Sequence, residues 1–376
     1  MASMAKRLSG RYGQYPLAYT GLGYLFFTMA FCYHPIDGHW LTGFVMMTLP
    51  LAILSGLVAS IYLICRGEKT IATAGLIWVL FSLPVVKRLI GTSSGLGQFA
   101  LNQAPALTIL SFNSESFSEA AGHSADFPAL KADIACFQEY APNVGIEKQY
   151  TAKVEKLTCF DQGREVGLAL LSKYPVVNQY GRIWDRVSGP DINGFLCADI
   201  AYGPDTIRVV NVHLWSMGVR IKQAFDALKT GDLRLFSFEF FDTLRRLKEG
   251  FEYRSEQLAE VESYVAGSRY PVIICGDFNE TPFGYSYGKL SLNFRNAFEE
   301  AGDGMGFTLN RHPYWVRIDQ QFFSADWAVT SCQTLSNISF SDHFPVVARY
   351  VLKRSAGAPT QLAAQHKRTV QEIAQK

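Results

Sequence analysis

The sequence predicts an α/β domain preceded by an all-α transmembrane region, and three observations predict it. The first ninety residues are rich in apolar side chains and carry charge only near short connectors. From residue 106 onward, brief apolar runs alternate with turn residues. Polar side chains then collect where those runs end. A chain of 376 residues is long enough for more than one folding unit. Lys plus Arg number 35 against 33 Asp plus Glu, a net charge of +2, so no bulk basicity points to nucleic acid. The seven cysteines (Cys32, Cys65, Cys136, Cys159, Cys197, Cys275, Cys332) include no Cys-x-x-Cys pair. They read as small core residues, and neither a zinc site nor a disulfide framework is expected.

Residues 1–90 form the expected membrane region. Uncharged apolar runs extend from Tyr15 to about Tyr33, from Trp40 to Cys65 and from about Thr70 to Val86. A signal peptide is one such run, so three in series predict retained transmembrane helices. Lys6, Arg7 and Arg11 precede the first run, and Arg66 and Lys69 separate the second from the third, while His34 to His39 contains no Lys or Arg. The positive-inside rule then places the N-terminus in the cytoplasm and the remainder of the chain outside, with Lys87 and Arg88 as a minority vote against.

Residues 91–105 read as a linker of small residues, 106–353 as a folded domain, and 354–376 as a polar tail. Within the domain, strands are expected at Leu107–Asn113, Asp133–Glu139, Gly167–Val177, Phe195–Tyr202, Ile207–Leu214, Pro271–Asp277, Arg317–Thr330 and Ser341–Tyr350, with a helix over Asp126–Lys131. The run Val272-Ile-Ile-Cys275 is the most strand-like; it stops at Gly276 and presents Asp277 and Asn279 just beyond.

Asn113, Glu139, His213, Asp277, Asn279, Asp342 and His343 all fall at or just past strand ends. Any one of them reads best as a turn, cap or structural residue. Seven at matching positions predict a common rim. There Glu139 with Asn113, and Asp342, offer a hard oxygen site suited to Mg²⁺ or Mn²⁺ and not to zinc. Asp277 is placed to activate a water and Asn279 to orient it, His213 and His343 to donate to phosphate or to a leaving oxygen, and Asp319 to hold the tautomer of His343.

The segments Leu-Ser-Phe-Asn113, Cys-Phe-Gln-Glu139, Gly-Leu-Ala-Leu-Leu-Ser-Lys-Tyr-Pro, Asn-Val-His213-Leu, Cys-Gly-Asp277-Phe-Asn279, Arg-Ile-Asp319 and Ser-Asp342-His343-Phe-Pro together resemble the ordered motif set of the endonuclease/exonuclease/phosphatase family. The resemblance spans about residues 105–352. It implies a four-layer sandwich, two packed β-sheets flanked by helices, and divalent-metal-dependent hydrolysis of phosphoesters. On it, Glu139 is the metal ligand, Asn113 supports metal and phosphate, Asp277 is the base beside Asn279, and His343, backed by Asp319, faces the phosphate together with His213. Gln320-Gln-Phe-Phe-Ser-Ala-Asp326-Trp departs from the Tyr-Ile-Phe-like strand usual in that family. With three spans ahead of it, the domain further resembles membrane-bound bacterial members, implying an inner-membrane protein with a periplasmic catalytic domain.

An insertion at about 216–268 carries Leu233, Phe236, Phe240, Leu244, Leu247 and Phe251 at helical spacing, widened by Leu235, Phe238 and Phe241. Such a helix either lies on the bilayer or packs on the domain or the spans. The expected partners are therefore a lipid bilayer and a phosphoester substrate with a lipid headgroup. A membrane-tethered nuclease is the alternative, and a silent binding protein a remote one.

Overall fold

The computed structural model describes residues 13–36, 39–92, 105–120, 123–161, 163–185, 192–216, 221–312 and 314–353. The tail 354–376, most of the expected linker, and Lys6, Arg7 and Arg11 lie outside the described residues.

All three apolar runs are helical. The first is α1 (Pro16–Tyr33), with proline in its first turn, where the missing N–H has no partner to lose. The second is broken into α2 (Trp40–Met47) and α3 (Leu49–Cys65), bent by 59°. Pro50 cannot donate back into α2 and crowds the carbonyl one turn earlier, which accounts for the bend. The third runs from α4 (Lys69–Phe81) into α5 (Leu83–Lys87). Among the described residues, the stretch 69–87 is long and apolar enough to cross a bilayer, and the bent α2–α3 pair qualifies if it counts as one span. One or two of the three expected spans thus meet that requirement. Gly, Thr and Tyr dilute α1.

After β1 (Gly91–Thr92), the domain proper starts with β2 (Leu107–Asn113), β3 (Ile134–Tyr140) and the single turn α6 (Val144–Glu147). There follow β4 (Ala152–Asp161), β5 (Arg164–Ser172), β6 (Val176–Ile183), β7 (Gly194–Tyr202) and β8 (Asp205–His213). The insertion forms α7 (Ile221–Lys229) and the long α8 (Leu233–Val265). The chain continues through β9 (Val272–Asp277), α9 (Tyr285–Leu290), β10 (Arg295–Asn296), α10 (Ala297–Ala301), β11 (Asp303–Gly304), β12 (Asp319–Phe323), β13 (Trp327–Thr334) and β14 (Val346–Leu352).

Two six-stranded mixed sheets result, in the orders β13-β14-β2-β3-β5-β4 and β10-β12-β9-β8-β7-β6. Their facing sides share a core that includes Ile109, Cys136, Leu170, Val209, Ile273, Cys275, Trp327 and Tyr350. The C-terminal half of α8 covers the outer face of the second sheet through Leu258, Val261 and Val265, and an aromatic cluster of Phe112, Phe117, Phe137 and Phe340 covers the first. The expected sandwich is therefore present. In each sheet one pair is parallel, β2 with β3 and β8 with β9. Parallel neighbours end together, which puts Asn113 beside Gln138 and His213 beside Asp277 on one rim. The antiparallel β12 begins at that rim, with Asp319 opposite Asp277.

The helix expected over Asp126–Lys131 is present as a 3-10 helix at Ser124–Leu130, with Pro128 supplying no N–H for the wider α ring. One local expectation is corrected. The strand expected over Arg317–Thr330 divides at Ser324-Ala-Asp326, where Ser324 Oγ donates to Asp326 Oδ2 at 2.7 Å. Its halves join different sheets, β12 pairing with β9 and β13 with β14. That crossing accounts for Gln321, one of the two glutamines that break the family pattern. Gln321 donates to the Val346 carbonyl at 2.9 Å and accepts from Tyr350 Oη at 2.9 Å, so it ties one sheet to the other. Asn211 makes a second tie, donating to the carbonyls of Phe137 (2.8 Å) and Ala169 (2.9 Å).

Candidate active site

Asp277 stands at the centre of the rim, 1% exposed. Its Oδ1 accepts from the Asn279 backbone N–H at 2.8 Å, and its Oδ2 accepts from the amides of Asn279 and Asn113, each at 3.2 Å. The two imidazoles face that same oxygen, His213 Nε2 at 3.6 Å and His343 Nε2 at 3.7 Å. Glu139 closes the other side, its Oε1 lying 3.8 Å from His213 Nε2 and 3.3 Å from the Asn113 amide nitrogen. Residues separated by up to 230 positions thus share one pocket, with Glu139 and Asn279 half-buried and the others buried.

Each is aimed by local structure. A bulge in β3 between Phe137 and Tyr140 frees Glu139 from the sheet and leaves it at φ 47°. Asn279 lies at φ 50°, and the run Glu115-Ser116-Phe117 is also left-handed. These five are the non-glycine residues with positive φ among those described. Glu139 and Asn279 line this pocket and Glu115 borders it through the Asp342 N–H, while Phe117 turns away into the aromatic cluster, and packing must hold each against steric preference. Gly276, at φ 148°, has no room for a side chain; a Cβ there would lie 1.8 Å from the Val212 carbonyl oxygen. His213 donates from Nδ1 to the Ile192 carbonyl at 3.1 Å, which turns Nε2 into the pocket. Ser341 donates to the Asn113 carbonyl at 2.7 Å and Glu115 accepts from the Asp342 N–H at 2.9 Å, sewing the His343 loop to the end of β2.

His343 and Asp319 are both almost fully buried, with Nδ1 to Oδ2 at 2.9 Å. Burial alone pulls the imidazole down, but Asp319 and Asp277 outweigh it and hold His343 at about 10, a cation throughout the neutral range. Burial raises the Asp319 carboxyl, and the imidazolium opposes that rise. The proton therefore resides on His343. Burial likewise raises Glu115, reinforced by the nearby Asp342 and Glu139 carboxylates.

Ligand-type atoms of Asp277, Asp319 and His343 lie within 4.8 Å of one another, and Glu139 adds a partly open carboxylate across the gap. A protonated His343 offers no lone pair, so it is the carboxylate oxygens of this set, Glu139 and Asp277 foremost, that fit a hard divalent cation. Asn113 as it stands presents NH₂ to both carboxylates, while its Oδ1 accepts from the Glu115 N–H at 3.3 Å. Turning the amide over would offer the oxygen to an ion between Glu139 and Asp277. Asp342 borders the pocket on the His343 side and is shared with Arg311. Its Oδ2 pairs with Arg311 at 2.5 Å, and its Oδ1 is 3.9 Å from His343 Nε2. Asp326 lies at the β12–β13 turn, far from the rim in the sheet.

Several supporting residues carry no local sequence signal. Thr308 Oγ1 accepts from the N–H groups of Ile318 and Asp319. Arg254, from the middle of α8 and 1% exposed, donates to the carbonyls of Trp215 (3.2 Å) and Asn279 (3.3 Å), on the two loops that leave β8 and β9. Burial lowers its guanidinium, and Glu280 and Asp277 act in the opposite sense. Gln257, one turn on, accepts from the Trp215 N–H at 2.9 Å.

The profile of the endonuclease/exonuclease/phosphatase family matches residues 110–343, and the chain belongs to that family. Its members are typically metal-dependent hydrolases of phosphoester bonds. Among solved structures, an endonuclease/exonuclease/phosphatase from Beutenbergia cavernae DSM 12333 is 17% identical, covering 66% of this chain and 72% of that one, with a TM-score of 0.49. The human Nocturnin catalytic domain with bound sulfate is 16% identical over 66% of this chain and 94% of that one (TM-score 0.47). A family protein from Bacteroides thetaiotaomicron is 18% identical over 67% and 100% (TM-score 0.46). Comparison with curated proteins gives no match.

Proposed function

We propose that this protein is a membrane-anchored, divalent-metal-dependent phosphodiesterase acting on lipid or lipid-linked headgroups. The hydrolase part rests on one observation, the meeting of Glu139, Asp277, His213 and His343 around a single gap. Glu139 and Asn113 would hold Mg²⁺ or Mn²⁺, which when bound supplies Lewis-acid polarisation of a phosphoryl oxygen. Asp277 takes the proton of the attacking water, and Asn279 fixes the carboxylate by two hydrogen bonds. The His343 imidazolium, steadied by Asp319, donates to a non-bridging oxygen as charge builds there. His213 faces the same gap as the second imidazole.

The membrane part is supported by how the N-terminal helices meet the domain. Phe283, four residues past Asn279, is buried among Leu25, Met29, Met46, Leu49 and Val85. Tyr287 of α9 carries the Arg88 guanidinium over its ring at 5.1 Å, and Arg317 donates to the Arg88 carbonyl. The ends of the helix bundle near Pro35 and Arg88 thus adjoin the domain, while Arg66 on the connector between α3 and α4 and Lys69 at the first residue of α4 lie at the other turn. This favours a cytoplasmic basic connector and a periplasmic catalytic domain at the outer surface of an inner membrane. The decisive assay gives the full chain, in detergent and Mg²⁺, labelled phosphatidylcholine, labelled sphingomyelin and plasmid DNA. Headgroup release is expected; DNA cleavage without it would reassign the protein as a tethered nuclease.

A further inference from the structure

The sequence leaves open whether the insertion helix packs on the protein or faces lipid, and α8 does both, in different halves. From Leu247 to Val265 its apolar side is buried, with Phe251, Leu258, Val261 and Val265 at 5% exposure or less. Its first nine residues behave otherwise: Leu233 is 67% exposed, Phe238 65% and Phe241 68%, with Leu235 and Phe240 also exposed. On the preceding α7, Phe225 and Leu228 are exposed as well. At about 100° per residue, positions 233, 235, 238 and 241 point about 0°, 200°, 140° and 80° around the axis. A protein partner needs a stripe. Apolar side chains pointing over more than half the circumference suit immersion in a fluid apolar medium.

The location of that medium follows from continuity. Phe251 of α8 presses on Gly43 of α2, where a Cβ would come within 2.4 Å of the ring. α2 leads directly into α3, whose Leu51, Leu54, Val58 and Ile61 are exposed on the outside of the bundle. The same helix that carries the bare phenylalanines is therefore held against the base of the apolar bundle. Charged side chains between Leu233 and Phe241 are limited to Arg234 and the buried Glu239, whereas Asp242, Arg245, Arg246, Lys248 and Glu249 begin a polar girdle one turn further along.

We propose that the α7–α8 tip, centred on Leu235, Phe238 and Phe241, is a second membrane-docking element that inserts into the bilayer holding α1–α5. It rests on the membrane-anchored reading above. It would keep the active-site rim at the lipid surface, since Arg254 on the same helix holds the Asn279 loop.

The test uses the full chain with Cys65→Ser, reconstituted in vesicles of phosphatidylcholine and phosphatidylglycerol. An environment-sensitive fluorophore is attached at Phe238→Cys or, as bundle control, at Leu54→Cys, and vesicles carry spin-labelled acyl chains. Both labels are expected to be quenched at least twofold. Quenching at 54 with none at 238 would overturn the docking element and leave the anchor standing; no quenching at either would remove both. Quenching at 238 that gives way to cross-linking between copies as protein density rises would also overturn it, making the tip an oligomer contact. In a second arm, Phe238→Asp/Phe241→Asp is expected to retain turnover of bis(p-nitrophenyl) phosphate and to lose at least tenfold on vesicle-borne phospholipid. Equal turnover of vesicle substrate would refute the role. Absence of chromogenic turnover in the parent would instead refute the hydrolase reading, with the quenching result unaffected.

Discussion

Replacing Asp319 with Asn isolates the contribution of one buried carboxylate. In the native protein its Oδ2 holds His343 Nδ1 at 2.9 Å, and the next carboxylate facing that ring, Asp277, is at 3.7 Å. The rise of His343 from its ordinary 6.5 to about 10 is a net effect, after burial has pulled the other way. At about 1.4 kcal/mol per unit it corresponds to about 5 kcal/mol favouring the imidazolium. A hydrogen bond to a charged group accounts for about 1.5–3 kcal/mol of such a total, so the variant should lose about 3 kcal/mol. The ring then deprotonates about two units lower but stays largely charged at pH 7, so kcat/KM for bis(p-nitrophenyl) phosphate should change little there and fall by about tenfold at pH 9. The alkaline limb of the rate profile should move to lower pH in step. Stability carries the same sign. A folded-state value above the unfolded one stabilises fully below pH 6.5, and that gain drains away as pH rises through about 10. Urea titrations in EDTA should show the native protein weakening across this window and Asp319→Asn much less so. Unchanged kcat/KM at about pH 9 together with an unshifted alkaline limb would refute the assignment of Asp319 as the group that charges His343.

Other expectations follow from single contacts. Glu139→Ala and Asp277→Ala should each abolish Mg²⁺-stimulated turnover while melting within a few degrees of the parent; full activity in either would refute the site. Adding EDTA should stop hydrolysis and Mg²⁺ or Mn²⁺ restore it, with Mg²⁺ raising the melting temperature of the parent and not of Glu139→Ala, as a thermal-shift titration would reveal. Arg254→Met should lower kcat more than it raises KM, by about tenfold or more, because the carbonyls of Trp215 and Asn279 lose their shared donor. Arg254→Lys should recover part of the loss, and a purely structural role would show instead as equal melting deficits with kcat intact. Gly276→Ala should cost about 4 kcal/mol or more, or prevent folding, since its Cβ would overlap the β8 backbone; expression and urea titration read this directly.

Much of this molecule is local enough to read along the chain. An apolar run with a polar end is a pattern of consecutive residues, so Asn113, Glu139, His213 and Asp277 could be marked as strand-end groups, and the shared rim follows once parallel neighbours are assumed. The helical spacing of the insertion was equally visible. Asp342 shows where such reading stops. It can be marked beside His343 at the start of an expected strand, and its Oδ1 does come within 3.9 Å of His343 Nε2, but that its Oδ2 is engaged by Arg311 could not be read from the chain. The split of 317–330 between two sheets could not be read either, because Gln320 and Gln321 look like breaks until Val346 and Tyr350 arrive to satisfy Gln321.

The sequence by itself determined which groups are available and which end of each strand bears them, because backbone periodicity and turn chemistry act over a few residues. Only the tertiary structure decided their directions: the left-handed turns at Glu139 and Asn279, the proton on His343, the reach of Arg254, and the bare tip of α8. Those depend on distance through space, and burial and electrostatic neighbours are set by chain segments hundreds of positions apart.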